Sequence, residues 1–237
     1  MNRVVLVTGA SRGLGSSIAK KFLESGDIAY INYKSTSLKE LAKKYAKDPK
    51  AHFLYGDISK EEDVIKMMQI IKEEQGKLDV LVNNAAISID SELEDKTVAN
   101  FKQILDVNLI GPFLTCKYAK DIMAKGSIIN ISSTNAIDTP EAYSLDYDAS
   151  KAGLISLTHN FAKIYGPDIR VNAIASGWIN TSNVLEMEPH YIEKEKSKII
   201  LNRFAEPEEI ANVVFFLASK EASYIVDSIL RVDGGLK

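Results

Sequence analysis

Residues 4–22 read VVLVTGASRGLGSSIAKKF. The run Val4–Thr8 predicts a short strand buried on both faces. It breaks into Gly9, Gly13 and Gly15, and the glycines run into a helical pattern. The spacing is Gly-x-x-x-Gly-x-Gly, not the more usual Gly-x-Gly-x-x-Gly. No Gly-Lys-Ser/Thr follows, so this is not a kinase-type phosphate loop. A strand that ends in glycines and feeds a helix aims backbone N–H groups and the positive end of the helix dipole at one spot, where a pyrophosphate binds well. Glycine is needed where backbone must approach the phosphates or take positive φ. The glycines alone leave a ligand-free turn open; their place after the first strand favours a dinucleotide.

Outward from this turn, short apolar runs alternate with helical patterns. Predicted strands are 4–8, 28–32, 51–55, 80–83, 127–131, 170–174 and 229–232. Between them, Ser37–Lys47 places Leu38, Leu41, Ala42 and Tyr45 on one face, and Glu61–Glu74 does so with Val64, Met67, Met68 and Ile71. Repeated β-α-β units predict an α/β fold. It is a doubly wound Rossmann-type domain over residues 1–237, with a seven-stranded, mostly parallel sheet and helices on both faces. The charged stretch Glu186–Lys198 is the one long interruption.

Bulk properties narrow the function. A net charge of −3 over 237 residues argues against nucleic-acid or membrane-surface partners. Cys116 is the single cysteine, so no internal disulfide forms, and it reads as a buried helix residue. His52, His159 and His190 are far apart with no cysteine nearby, so no metal site is expected. No apolar run is long enough for a membrane helix, and no signal-peptide h-region is seen. A reducing cytoplasm is the expected location.

The end of the second strand reports on the cofactor's ribose. A carboxylate there would bind the 2′-hydroxyl of NAD. This chain has Asn32, Tyr33, Lys34 and Ser35, with no acid. Lys34 and Arg12 are cations that could face a 2′-phosphate, although each could be an ordinary surface charge. NADPH is therefore expected over NADH. Further on, Tyr147 and Lys151 in YDASK open a helical pattern, where i and i+4 share a face. An ammonium there could lower the phenol's pKa and make it a proton donor near neutral pH. A second Tyr-x-x-x-Lys, Tyr30 to Lys34, lies on a predicted strand, where four residues span about 13 Å and the two cannot meet.

With these residues in view, the chain resembles the short-chain dehydrogenase/reductase family almost end to end. TGASRGLG (Thr8–Gly15) resembles its cofactor turn, and GDIS (Gly56–Ser59) its adenine-contact segment. NNAA (Asn83–Ala86) resembles the motif after its fourth strand. DVNLIGPF, INISS and YDASKAGL resemble the segments that carry its catalytic residues. The resemblance implies that Asn108, Ser133, Tyr147 and Lys151 are catalytic: Tyr147 moves the substrate proton, Lys151 tunes it and binds the nicotinamide ribose, Ser133 bonds the reacting oxygen, and Asn108 holds a water. It implies a cofactor site of Gly9, Ser11, Arg12, Gly13, Leu14, Gly15, Asn32, Tyr33, Lys34, Asp57, Ile58, Asn84, Ala85, Ala86, Tyr147, Lys151, Gly177, Ile179 and Thr181.

There are departures from the family pattern. Ala86 stands for a glycine and Ser176 for the proline of a Pro-Gly, which would leave Ile179 and Thr181 less rigidly held. Asp227 stands for another glycine. Ser133 and Tyr147 are fourteen apart where thirteen is expected, so the substrate loop carries one extra residue; Ser132 is the fallback for the catalytic serine. Tyr143 does not fit the Tyr-x6-Lys pattern of the family's enoyl reductases, and reads as substrate-loop lining or plain packing.

Overall length and the C-terminal tail most resemble the 3-oxoacyl-[acyl-carrier-protein] reductases of fatty-acid synthesis. That implies a carbonyl substrate presented on acyl carrier protein, with Arg170 and Lys125 at the docking edge. A free small ketone, sugar or steroid alcohol is the alternative; a cofactor-binding sensor without activity is a third. The helices expected over 101–123 and 148–165 resemble those that pair in the family's homotetramers.

Overall fold

The computed structural model describes residues 2–45, 48–181, 184 and 187–236. Seven strands form one sheet: β1 (Val4–Val7), β2 (Ile28–Tyr33), β3 (Ala51–Tyr55), β4 (Val80–Asn83), β5 (Gly126–Ser133), β6 (Ile169–Ser176) and β7 (Ile229–Val232). Their order is β3-β2-β1-β4-β5-β6-β7. Every pairing is parallel, where the sequence predicted mostly parallel. The cause is the connections, each of which crosses a face of the sheet before the next strand begins.

Among the described residues eight α-helices accompany the sheet: α1 (Gly13–Glu24), α2 (Leu38–Lys44), α3 (Glu61–Gln75), α4 (Val98–Leu105), α5 (Gly111–Ala119), α6 (Leu145–Tyr165), α7 (Pro189–Ser197) and α8 (Pro207–Leu217). Strand side chains alternate between two apolar layers. Val5 and Val7 join Ile18 and Phe22 of α1 and Val214 of α8. Val4 and Leu6 join Met67 and Ile71 of α3, Leu114 of α5 and Phe161 of α6. Both faces of β1 and β4 are thus dry, which is why Val4–Val7 and Val80–Val82 read as unbroken apolar runs.

The order reverses direction of travel between β1 and β4. The loops leaving those two strands therefore part around a crevice at the carboxyl edge of the sheet. The segment expected as one helix over 101–123 is not continuous. A wide π turn, Asp106–Ile110, separates α4 from α5. Pro112 supplies the reason: it has no N–H to return to the carbonyl of residue 108, so the regular ladder cannot pass that point. Among the described residues no helix is long and apolar enough to cross a membrane.

Candidate active site

The glycine turn sits at the β1/β4 crevice. Gly9 has φ +62° and Gly13 φ +53°, values that disfavour any side chain. A Cβ on Gly15 would lie 2.6 Å from the Gly9 carbonyl oxygen, so only glycine lets α1 start this close to the turn. Arg12 caps α1 without a side-chain bond, and its first turn carries no acid. Among the described residues nothing in the protein neutralises the dipole there, as an anion site requires. The turn is braced from two sides. Tyr45 donates its hydroxyl to the Ala10 carbonyl at 2.7 Å. Asn84 donates to the Thr8 carbonyl at 2.9 Å. The backbone N–H groups of Asn84 and Ala85 both donate to the Thr8 hydroxyl, at 3.0 Å. Leu14 is buried beneath the turn and Ser11 lies on it. The glycines, the bare helix end and the space they leave fit a dinucleotide pyrophosphate.

Asn32 does not do what the sequence reading assigned to it. It is only 3% exposed. Its oxygen accepts from the Gly9 N–H at 3.1 Å, and its amide donates to the carbonyls of Gly56 at 2.9 Å and Leu54 at 3.2 Å. Strand alternation turns it inward, so it supports the glycine turn and does not face a ribose. Tyr33, half-buried with its ring edge against Tyr55, and exposed Lys34 remain at the rim. Lys34 is not free either: its ammonium is 2.7 Å from the Asp57 carboxylate. Burial alone would raise the Asp57 carboxyl, but Lys34 and Ser59 outweigh it and hold that carboxyl below the usual range. Arg12 is exposed and has no ion pair among the described residues. Ile58 is buried near the same edge, its side chain against Gly111.

The far side of the crevice is built by the end of β6. Ser176 donates its hydroxyl to the Ser132 carbonyl at 3.3 Å. Gly177 leaves no room for a side chain against Asp233. Beyond it, the Asn180 N–H donates to the Ala205 carbonyl at 2.8 Å and the Ala205 N–H to the Trp178 carbonyl at 3.0 Å. With Ser176 in place of a proline, this pairing with Ala205 is what ties the backbone around Ile179. Thr181 lies next to Gly13, with its methyl 3.6 Å from where a Cβ there would stand. Ala86 is exposed and leaves its methyl facing solvent.

Ser133, Tyr147, Lys151 and Asn108 converge between β5, α6 and the π turn. The Ser133 hydroxyl lies within reach of the Tyr147 phenol and favours its ionised form, but burial prevails and pushes the phenol up to about 12. Asp148 and Asp90 add to that rise. The expectation of a phenol lowered by Lys151 is thus not met in the protein alone: the Tyr147 hydroxyl stays protonated. Lys151 sits with its ammonium 5.4 Å from the centre of the Tyr147 ring and donates to the Ile131 carbonyl at 2.7 Å. Burial without an anionic partner drops it to about 8. Ser132 is excluded as the substitute serine, since its hydroxyl donates to the Lys151 carbonyl at 3.1 Å. The Asn108 side chain is also committed. Its oxygen accepts from the Ile87 N–H at 2.9 Å, and its amide donates to the Ile87 carbonyl at 2.8 Å and the Ser150 hydroxyl at 3.1 Å.

The longer substrate loop is organised by Asp148, which sequence reasoning missed. Its carboxylate accepts from Asn135 and from the Glu141 N–H, both at 2.8 Å. Also missed was a buried polar chain. Thr115 donates to Asn83 at 2.6 Å, Asn83 to Asn130 at 2.9 Å and Asn130 to Thr158 at 2.9 Å. The signal was present as amides inside apolar strands, which must find partners when buried. Tyr143 is half-exposed beside the site. Cys116 is buried and its thiol is raised to about 12 by burial, so it is no nucleophile. Arg170 and Lys125 do not stand at the candidate site. Arg170 pairs with Ser127 near the start of β5, and six strand steps separate that residue from Ser133, about 20 Å at 3.3 Å per residue. Its guanidinium is spent on the carbonyls of Ser219 and Ile225.

Known proteins resemble the chain along nearly its whole length. A family model described as Enoyl-(Acyl carrier protein) reductase matches residues 9–237. The chain is 37% identical to the 3-oxoacyl-[acyl-carrier-protein] reductase FabG of Aquifex aeolicus, over 99% of this chain and 97% of that one. It is 34% identical to glucose 1-dehydrogenase 2 of Bacillus subtilis, over 99% and 94%. A crystal structure from Brucella melitensis, described as a short-chain dehydrogenase/reductase of glucose/ribitol dehydrogenase type, superposes with TM-score 0.94 at 27% identity, covering all of this chain and 97% of that one.

Proposed function

The chain belongs to the short-chain dehydrogenase/reductase family and is an NAD(P)-dependent oxidoreductase acting on CH–OH groups; from that premise we propose that it reduces a carbonyl to an alcohol with NADPH. The carrying observation is the Tyr147 phenol held beside Ser133 and Lys151 where β5, α6 and the π turn converge. When bound, the nicotinamide supplies the hydride. The protein supplies orientation and protons. The Ser133 hydroxyl donates to the carbonyl oxygen of the substrate, and Tyr147 gives that oxygen its proton. Below about pH 8 the Lys151 ammonium is charged and offsets the phenolate left behind. Asn108, held to Ile87, fixes the loop that closes this corner. Gly9, Gly13 and the open end of α1 take the pyrophosphate. Arg12 and Lys34 supply cations for a 2′-phosphate, which would draw Lys34 from Asp57. Exposed Ile110 just before α5, Phe113 on α5 and Ile164 on α6 support pairing of these helices in a homotetramer.

For the substrate, the name of the Aquifex aeolicus relative supports a 3-oxoacyl group on acyl carrier protein. A second reading, a free small ketone or its alcohol, is favoured by charge around Tyr147. Asp90, Glu92, Glu94 and Asp95 are exposed with no ion pair among the described residues, while the Lys96 side chain beside them is buried against Asp146 and Asp138 is paired with Arg231. Such an entrance repels an acidic carrier. Acetoacetyl-coenzyme A, a short 3-oxoacyl carrier protein and a panel of free ketones with NADPH, followed at the reduced-nicotinamide absorbance, decide between the two. A tenfold advantage in catalytic efficiency for either class assigns it. No turnover with any of them, despite tight NADPH binding, would overturn the reductase reading.

A further inference from the structure

Helix α6 carries Tyr147 in its first turn, and the residue before it, Asp146, is 0% exposed. The Lys96 side chain is itself only 6% exposed. Its ammonium lies 2.9 Å from one Asp146 carboxylate oxygen and donates to the Ile89 carbonyl at 2.9 Å. The same Asp146 oxygen accepts from the backbone N–H of Tyr147 at 3.0 Å. The other oxygen is buried with no partner among the described residues. One ammonium therefore joins the loop after β4 to the backbone of the candidate proton donor. The loop is also tied at Ile87 to Asn108, and its Ser91 N–H donates to the Tyr143 carbonyl at 3.1 Å.

A buried ion pair is an expensive way to hold two segments together. Apolar side chains of the same volume are often as stable or more so. Here the pair leaves one carboxylate oxygen unsatisfied, which adds to the cost. What it provides is direction: an ammonium and a carboxylate accept few geometries, and this one ends on Tyr147. A proton donor misplaced by about 1 Å can lose about 10²-fold in rate.

We propose that Lys96 and Asp146 are positioning residues for Tyr147, acting through its main-chain N–H and the loop over the substrate. The proposal rests on the reading of Tyr147 as the proton donor. It is tested with Lys96→Met/Asp146→Leu, which removes both charges together and so avoids a lone buried ion. Asp146→Asn, which keeps an acceptor for Tyr147, is the conservative variant. The double variant is expected to melt within a few degrees of wild type and to bind NADPH within twofold, while kcat falls at least tenfold. Asp146→Asn is expected to keep kcat within about fivefold. On a Tyr147→Phe background the same double substitution should cost no further rate, because residues acting as a unit are not additive. Wild-type kcat in the folded double variant would overturn the proposal. So would an additive loss on the Tyr147→Phe background, or a kcat loss matched by lost NADPH binding. A Tyr147→Phe enzyme that keeps more than a tenth of its activity would instead overturn the proton-donor reading, which separates the two failures.

Discussion

Replacing Asn32 by aspartate tests the reassignment of that residue most sharply. On the simple view that an acid at the end of the second strand binds the ribose, the change should convert the enzyme to NADH. The structure predicts damage instead. The Asn32 amide donates to two carbonyls, those of Gly56 and Leu54, in a site 3% exposed. A carboxylate there keeps the Gly9 N–H on one oxygen but sets the other against both carbonyls with no cation in contact. An uncompensated buried charge costs about 3–5 kcal/mol. At about 2–4 °C per kcal/mol for a chain of this size, the melting temperature should fall by roughly 6–20 °C. The sign with pH is fixed as well. Burial raises the carboxyl in the folded state above its unfolded value, so stability is lost as pH rises above about 4, the unfolded carboxyl value, and the variant should approach wild type in acid. Melting curves across pH, with NADPH and NADH titrations, read all of this. An Asn32→Asp protein that melts within 2 °C of wild type at neutral pH and prefers NADH would refute the reasoning. Tyr33→Asp, at the rim, is the change expected to raise the NADH to NADPH ratio.

Tyr147→Phe should lower kcat by about 10² to 10⁴ with NADPH affinity kept within threefold, as single-turnover and binding measurements will show. Because burial places Lys151 at about 8, its charged form is lost as pH rises through that value. Carbonyl reduction should therefore be level in kcat/KM below about pH 8 and fall above it, with Lys151→Arg moving that limb upward. Steady-state kinetics should show NADPH preferred over NADH, and Arg12→Ala with Lys34→Ala should raise the KM for NADPH about tenfold while leaving NADH unchanged; equal efficiency with both cofactors in wild type would contradict it. Light scattering should give a mass four times that of the chain, and the mass of a single chain would end the tetramer proposal.

Much of the fold was legible in short apolar-rich runs: strands 51–55, 80–83 and 229–232 are found with their predicted ends, although only 80–83 is buried on both faces and the other two lie at the sheet edges. The glycine turn was legible because few residues tolerate its φ values. What stayed hidden depended on direction. Asn32 follows Tyr30 on the inward-facing side of β2, and alternation could have shown that it points away from a ribose. The partners of Lys96, Asp146 and Asp148 lie tens of residues away or across a loop, and no periodicity connects them. The phenol shift was misread because sequence spacing reveals a neighbouring cation but not the loss of water around both groups.

The buried amides of β4 and β5 carry a consequence for how the chain finds its register. Both strands are covered on both faces, so a slip by one residue would still bury oily side chains and would be weakly penalised. Asn83 and Asn130 are direct Cα partners and bond through their side chains. A slipped pairing would strand both amides, and Thr115 and Thr158 with them, at about 1–3 kcal/mol for each group left alone. The centre of the sheet is thus keyed by polarity inside an otherwise interchangeable hydrophobic surface. An all-aliphatic replacement of the four could match the native protein in stability and still fold to several alignments, only one of which brings Ser133 level with the crevice.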